Sequence, residues 1–197
     1  LALAGDFYQR GFGECGCGDG YVSPDYPSVL TKGFSGIAGE IRIKYNLLNK
    51  REKSGQQGAQ LQAMLSACAI PGILAKRYAA LCGQLALQAP TPARQSELHT
   101  MEENLLRIPQ DPARTFYEAV QSLLLAHLLA LCEAVGTQKT VSLGRIDQYL
   151  LPYWNASIRD GMKREFGKEL IRCFLLHCSL SRDSLPEAVG VDMPANG

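Results

Sequence analysis

The stretch TFYEAVQSLLLAHLLALCEAVG, residues 115–136, most limits what this chain can fold into. Phe116, Val120, Leu123, Leu124, Leu128, Leu131 and Val135 recur at helical spacing, and Leu125, Ala126, Leu129 and Ala130 make the opposite side apolar as well. Such a helix has no face suited to water, so it needs neighbours on every side. Thr115 and Glu118 stand at the spacing of a capping box, and Gly136 is placed to end the helix. Its longest apolar run, SLLLAHLLALC, is roughly half of the ~20 residues a membrane span requires and is interrupted by His127, so it predicts a core helix and no membrane span.

The rest of the chain supplies some of those neighbours. In SPDYPSVLTKGFSGIAGEIRIKYNLLNK, the residues Val29, Phe34, Ile37, Ile41 and Tyr45 predict one helix or two. KREKSGQQGAQ is charged and glycine-containing, and reads as an exposed connection or a frayed helix end. Leu61, Leu65, Ile73, Leu74, Tyr78, Leu81 and Leu85 then form an apolar stripe, with a boundary at Pro71 and Gly72. Thr91 and Pro92 match an N-cap and a first helical position ahead of Leu98, Met101, Leu105 and Ile108. Phe166, Leu170, Ile171, Phe174 and Leu175 predict a last amphipathic helix, and DSLPEAVGVDMPANG reads as a loop. The expected fold is mostly α, in one domain or at most two. A helix buried all round among so few partners points to a larger parent. LALAGDFYQR, with neither an initiating Met nor the layout of a signal peptide, points the same way.

Twenty basic and nineteen acidic residues leave a net charge of +1, so no field draws this chain to nucleic acid or an anionic membrane. Seven cysteines are an odd number. Cys68, Cys82, Cys132, Cys173 and Cys178 fall in apolar helical patterns and read as small hydrophobes of a reducing cytoplasm. Cys15 and Cys17 in GFGECGCGDGY could suggest metal or redox chemistry. A zinc site, however, needs four ligands, and a redox pair usually has two intervening residues, so no metal is expected. His99, His127 and His177 read as core or surface histidines. No phosphate loop, dinucleotide fingerprint or serine elbow is present. What remains is a polar knot, VSLGRIDQYLLPYW, where Ser142, Gly144, Arg145 and Asp147 crowd into six positions. Read from its pattern, it is a structural arginine-aspartate turn or a site.

The knot and its surroundings carry a resemblance. Residues 115–162, TFYEAVQ through SLGRIDQYL and LPYW to DGM, resemble the F-x-E-A-x-Q, S-x-G-R-x-D-Q-Y-L and P-Y-Y segments of glycyl radical enzymes, the pyruvate formate-lyase family. GYVSPDYPSVLTKGFSGI resembles that family's G-H-x-x-P-D-Y-x-K-V-L-x-x-G-x-x-G-I segment, and RYAALCGQLA with PARQSELHTMEENLLRIP resembles the helices between them. The resemblance implies that residues 1–197 are a mainly α fragment of a ten-stranded α/β barrel, a partial domain from its N-terminal to middle part, with a few short strands.

It also implies an anaerobic, cytoplasmic lyase or dehydratase for a small polar substrate such as a diol, a hydroxylated amino acid or choline. A separate activating enzyme, using S-adenosylmethionine and an iron-sulfur cluster, would place a radical on a glycine, and a cysteine thiyl would abstract hydrogen from the substrate. Neither the R-V-x-G-Y glycine motif nor the cysteine loop occurs here, so this chain has no catalytic residue of its own, binds no cofactor and is expected to be inactive without the remainder of the polypeptide. Acyl cleavage of the formate C-acetyltransferase type and a non-catalytic helical scaffold are the rival readings, and the family resemblance allows a homodimer. By motif position, Ser142, Asp147 and Tyr21 would face the substrate, whereas Arg145 would hold the turn. Tyr21 stands where the family frequently has histidine, Ser157 where aspartate is common, and His177 and Ser179 where lysine and asparagine are common.

Overall fold

The computed structural model describes residues 21–134 and 140–188. Cys15, Cys17, Val135, Gly136 and the expected loop beyond residue 188 lie outside them. The elements run β1 (Tyr21–Val22), α1 (Tyr26–Leu47), α2 (Lys50–Ser54), α3 (Gln56–Ala67), α4 (Ile70–Leu87), α5 (Pro92–Leu105), α6 (Phe116–Ala134), β2 (Thr140–Val141), α7 (Ile146–Arg159) and α8 (Arg164–Ala188). The described residues are therefore mainly helical, with one pair of very short strands.

Helix α6 is the hub its composition demands. Phe116, Ala119, Val120, Leu123 and Ala126 pack with Tyr26 and Leu30 of α1, Leu150 of α7 and Phe174 of α8. Leu125, on another side, joins Ala75, Ala79, Leu98 and Leu105 of α4 and α5. Most of the first three turns is buried, with Tyr117, Gln121 and Leu124 half-buried, whereas Leu128 to Leu131 are half-buried throughout. Its free N-terminal amides, which no intrahelical carbonyl can satisfy, are met from several directions. Thr115 Oγ1 accepts from the Glu118 amide at 3.1 Å, and the Glu118 carboxylate accepts from the Thr115 amide at 3.4 Å. The expected capping box is present. Ser157 Oγ, from α7, accepts from the Phe116 amide at 2.8 Å, and the Phe116 and Trp154 rings meet edge to face 5.1 Å apart.

Helix α1 is two helices joined at Gly33, whose φ of +65° and ψ of 170° break the spiral. The break lets the connector after α5 lie against it: Phe34 N donates to Pro109 O at 3.1 Å, Ser35 N to Gln110 O at 2.8 Å and Ala113 N to Leu30 O at 2.9 Å. Beyond the break, Ala38 and Ile41 pack with Cys68 and partly buried Leu61 and Leu65 of α3.

Three expectations need correcting. KREKSGQQGAQ forms α2 and the start of α3: Asn49 Oδ1 accepts from Glu52 N at 2.9 Å while Asn49 N donates to Glu52 Oε2 at 2.8 Å, a capping box hidden in a charged stretch. In α4 the apolar stripe faces outward. Ala75, Ala79, Cys82 and Ala86 are the buried side, because small residues let α4 and α5 approach closely, while Ile73, Tyr78, Leu81 and Leu85 are exposed. Helix α8 runs on to Ala188, so DSLPEA is helical rather than loop; Phe174 is buried, but Phe166 and Leu175 are exposed. Of the helical cysteines, Cys68 and Cys82 are buried, whereas Cys132 and Cys173 are exposed.

By length and composition, Gln56–Leu87 is apolar enough to cross a membrane, with a mean hydropathy of 1.3. Its physical context is different: a turn at Cys68 and Ala69 splits it, Lys76 and Arg77 sit in its second half, and α4 packs on α5.

Behind the strands, Tyr26 Oη lies 2.8 Å from His127 Nδ1, both residues buried. Burial holds the His127 imidazole below its ordinary pKa, so the fold favours the neutral ring. The folded state then binds fewer protons than the unfolded chain near the unfolded pKa of about 6.5. Stability present above that pH is drained as pH falls below it. We expect the melting temperature to drop between about pH 7 and about pH 5, and His127→Gln to flatten that slope. Melting curves across that range test it; an unchanged slope in the variant would place the acid sensitivity elsewhere.

Candidate functional site

Strands β1 and β2 pair in parallel, Tyr21 opposite Thr140 and Val22 opposite Val141. Ser142 N adds a further bond to Val22 O at 2.8 Å. Two segments far apart in sequence thus end side by side, and in parallel sheets ligands collect beyond the carboxyl ends of the strands. The chain then turns through Gly144 at φ +63°, a backbone conformation that suits glycine, with Ser142 Oγ accepting from Gly144 N at 3.1 Å. Because that bond uses an oxygen lone pair, the Ser142 hydroxyl proton is left to donate.

Helix α7 begins immediately after the turn. Tyr149, one turn in, donates its hydroxyl to Leu143 O at 2.8 Å, and burial pushes its phenol up to about 12. This bond anchors the turn to the helix. Arg145 grips Asp147 with two bonds, Nε to Oδ1 at 3.1 Å and Nη2 to Oδ2 at 2.9 Å. The guanidinium holds the Asp147 carboxyl below its usual range. Both side chains are well exposed, 70% and 63%, so in this chain the pair shapes the turn more than it stabilises the fold.

A cleft of about 250 Å³ opens between the turn and the start of α1, lined by Ser23, Asp25, Gly144, Arg145, Gln148 and Tyr149. Asp25 is committed to capping α1, accepting from Ser28 N at 3.1 Å and Ser28 Oγ at 2.6 Å, which hold its carboxyl below the ordinary range. Gln148 belongs to the SLGRIDQYL segment and Ser23 to GYVSPDY, but neither is chemically distinctive by itself, so no local signal marks them as lining residues. Of the expected residues, Ser142, Arg145 and Asp147 share one turn, and Tyr21 joins them through its backbone on the neighbouring strand. Ser157 is spent on the cap of α6, a task an aspartate could equally perform. His177 and Ser179 lie on the exposed side of α8, bonded at 2.9 and 3.1 Å to the carbonyls of Cys173 and Leu175. His99 lies 3.3 Å from Glu102 Oε2 on the surface of α5. Among the described residues no group of His, Cys, Asp and Glu gathers to hold a metal ion.

Residues 14–189 match the model of the family described as pyruvate formate lyase-like. The chain belongs to that family. Isethionate sulfite-lyase of Oleidesulfovibrio alaskensis is 35% identical over 153 residues, covering 76% of this chain and 18% of the relative. Trans-4-hydroxy-L-proline dehydratase of Clostridioides difficile is 26% identical over 189 residues, covering 94% of this chain and 22% of the relative. Among solved structures, one concerned with 1,2-propanediol dehydration in Roseburia inulinivorans superposes with a TM-score of 0.72 at 28% identity, covering 80% of this chain and 19% of that one. A solved glycyl radical enzyme from Archaeoglobus fulgidus shares the fold with a TM-score of 0.70 at 24% identity, covering 86% of this chain and 23% of that one. The chain spans about a fifth of the length of these proteins.

Proposed function

We propose that this chain is one wall of the substrate cavity of a glycyl radical lyase or dehydratase that acts on a small polar molecule. The observation that carries it is the junction of the parallel β1 and β2 ends with a turn whose Leu143, Gly144 and Arg145 line a cleft, Ser142 and Asp147 flanking them, in a chain whose relatives bear lyase and dehydratase names. In this reading the turn orients the substrate. The Ser142 hydroxyl donates to a substrate oxygen, Asp147 reaches the substrate when Arg145 yields one of its two bonds, and Tyr21 contributes from the neighbouring strand. Holding a small polar substrate in one orientation lowers the entropic part of the barrier to hydrogen abstraction. The abstraction itself belongs to a thiyl cysteine and a glycyl radical outside these residues, the radical being installed by an S-adenosylmethionine-dependent iron-sulfur activating enzyme in the cytoplasm. In the complete protein this segment would then form part of a ten-stranded barrel.

The test is the complete protein, activated anaerobically and offered isethionate, 1,2-propanediol, glycerol and trans-4-hydroxy-L-proline. We expect a glycyl radical signal by electron paramagnetic resonance and turnover of one of them. Ser142→Ala should lower kcat/KM about 10-fold to 100-fold for loss of one oriented hydrogen bond, with the radical signal intact. Full radical loading with no turnover of any of the four, or an unaffected Ser142→Ala, would overturn the reading.

A further inference from the structure

Helix α4 presents to solvent what a soluble helix normally hides. Ile70, Ile73, Tyr78, Leu81 and Leu85 line its outer side and are all about half exposed. Successive members are three to five residues apart, which places them along one side of the helix, the layout by which a helix receives another helix. Apolar patches of this extent mark a binding surface. Arg77 sits in the stripe and Lys76 on its flank beyond Ile73; both are exposed, and neither has an ion-pair partner among the described residues. At the amino end of α4 the stripe continues into a groove of about 410 Å³ between the helix and the connector after α5, lined by Gly72, Ile73, Lys76, Leu106, Arg107 and Gln110. There Gln110 Oε1 is buried without a hydrogen-bond partner. A buried acceptor left unmatched costs free energy, so this end of the groove calls for a donor.

These features specify an occupant. A second copy of the same face fits poorly: a two-fold pairing centred on the stripe brings Arg77 of one copy against Arg77 of the other, since it stands near the middle of the stripe. An apolar helix carrying an Asp or Glu opposite Arg77 satisfies both the stripe and the charges. The chain spans only about a fifth of its relatives, so their longer polypeptides have ample residues to provide it. We propose that the outer face of α4 is a docking seam for an acidic amphipathic helix supplied by the same polypeptide outside residues 1–197. The inference stands on the family assignment and the geometry of α4, not on the substrate reading, so a failed turnover assay leaves it untouched.

The experiment uses the complete protein with Leu81→p-benzoylphenylalanine, irradiated and mapped by mass spectrometry. The expected product is an intramolecular cross-link to a helical segment outside residues 1–197 with an acidic residue within one turn of the attachment point. A cross-link to a second copy, a cross-link within residues 1–197, or no cross-link at all would overturn the proposal. In parallel, Arg77→Glu should lower the melting temperature by several degrees more than Arg77→Gln. Equal shifts for the two would remove the acidic partner.

Discussion

Replacing Gly33 by alanine is expected to unfold the amino-terminal half of the core, whereas the same change at Gly39, six residues along the same helix, is expected to leave it intact or strengthen it. At Gly33 the backbone stands at φ +65° and ψ 170°, a region that residues with a Cβ essentially never occupy, at a strain of roughly 1–3 kcal/mol. A Cβ there would also overlap the carbonyl oxygen of Gln110 and the backbone of Asp111. Neither obstacle is a flexible side-chain tip. Relief would require moving the connector, and with it the bonds from Phe34, Ser35 and Ala113 that join α1 to it. The combined expectation is a loss of about 3 kcal/mol or more, a large part of the stability of an ordinary domain. Gly39 is helical with no heavy atom within 4 Å of its would-be Cβ, so alanine there gains up to about 1 kcal/mol of helix propensity. Thermal unfolding of the two variants beside the parent chain measures both. Similar behaviour of the two would show that the break at Gly33 is not required.

The contrast between those glycines was not legible in the sequence, where both lie in one apolar period. Period reports that a stripe exists; it does not report which side of a helix finds a partner. That is also why the apolar stripe of α4 predicts a helix but not that the stripe faces outward. In a piece of a larger protein both sides of a helix can be packed, and the alanine side that meets α5 has too little hydrophobicity to announce itself. Signals that act within one turn fared better. Thr115 with Glu118 and Thr91 with Pro92 are legible because a cap is a local hydrogen bond, with Thr91 Oγ1 accepting from Arg94 N at 3.2 Å. Asn49 with Glu52 has the same spacing, but the charge and glycine around it mask the signal. At the candidate site, the closeness of Arg145 to Asp147 was legible. The juxtaposition of Tyr21 with Ser142 came from the family motifs, since no local pattern predicts a parallel pair between strands of two residues each.

The second large effect is expected at Glu118. Its carboxylate is buried and serves three donors: Arg114 N at 2.6 Å, Thr115 N at 3.4 Å and the guanidinium of Arg107. Arg107 in turn donates to Pro112 O at 2.8 Å, so this one acid ties the connector after α5 to the first turn of α6. Glu118→Ala removes the acceptor but leaves the cation, which is 18% exposed, and two amides with nothing to receive them. Breaking one side of a buried ion pair costs about 3–5 kcal/mol, and the partial exposure of Arg107 places this case near the lower end. Glu118→Gln keeps the shape and one acceptor oxygen, so its loss should be less than half as large. The double replacement Glu118→Ala with Arg107→Met should recover part of the loss, because it removes the stranded charge along with its partner. Chemical denaturation of these three variants and of Arg107→Met alone, beside the parent chain, closes the cycle. If the double variant is no more stable than Glu118→Ala, the carboxylate acts mainly as a cap for α6. If it is more stable, the uncompensated guanidinium is the larger cost, and the hub helix owes its position as much to the connector as to its own apolar surface.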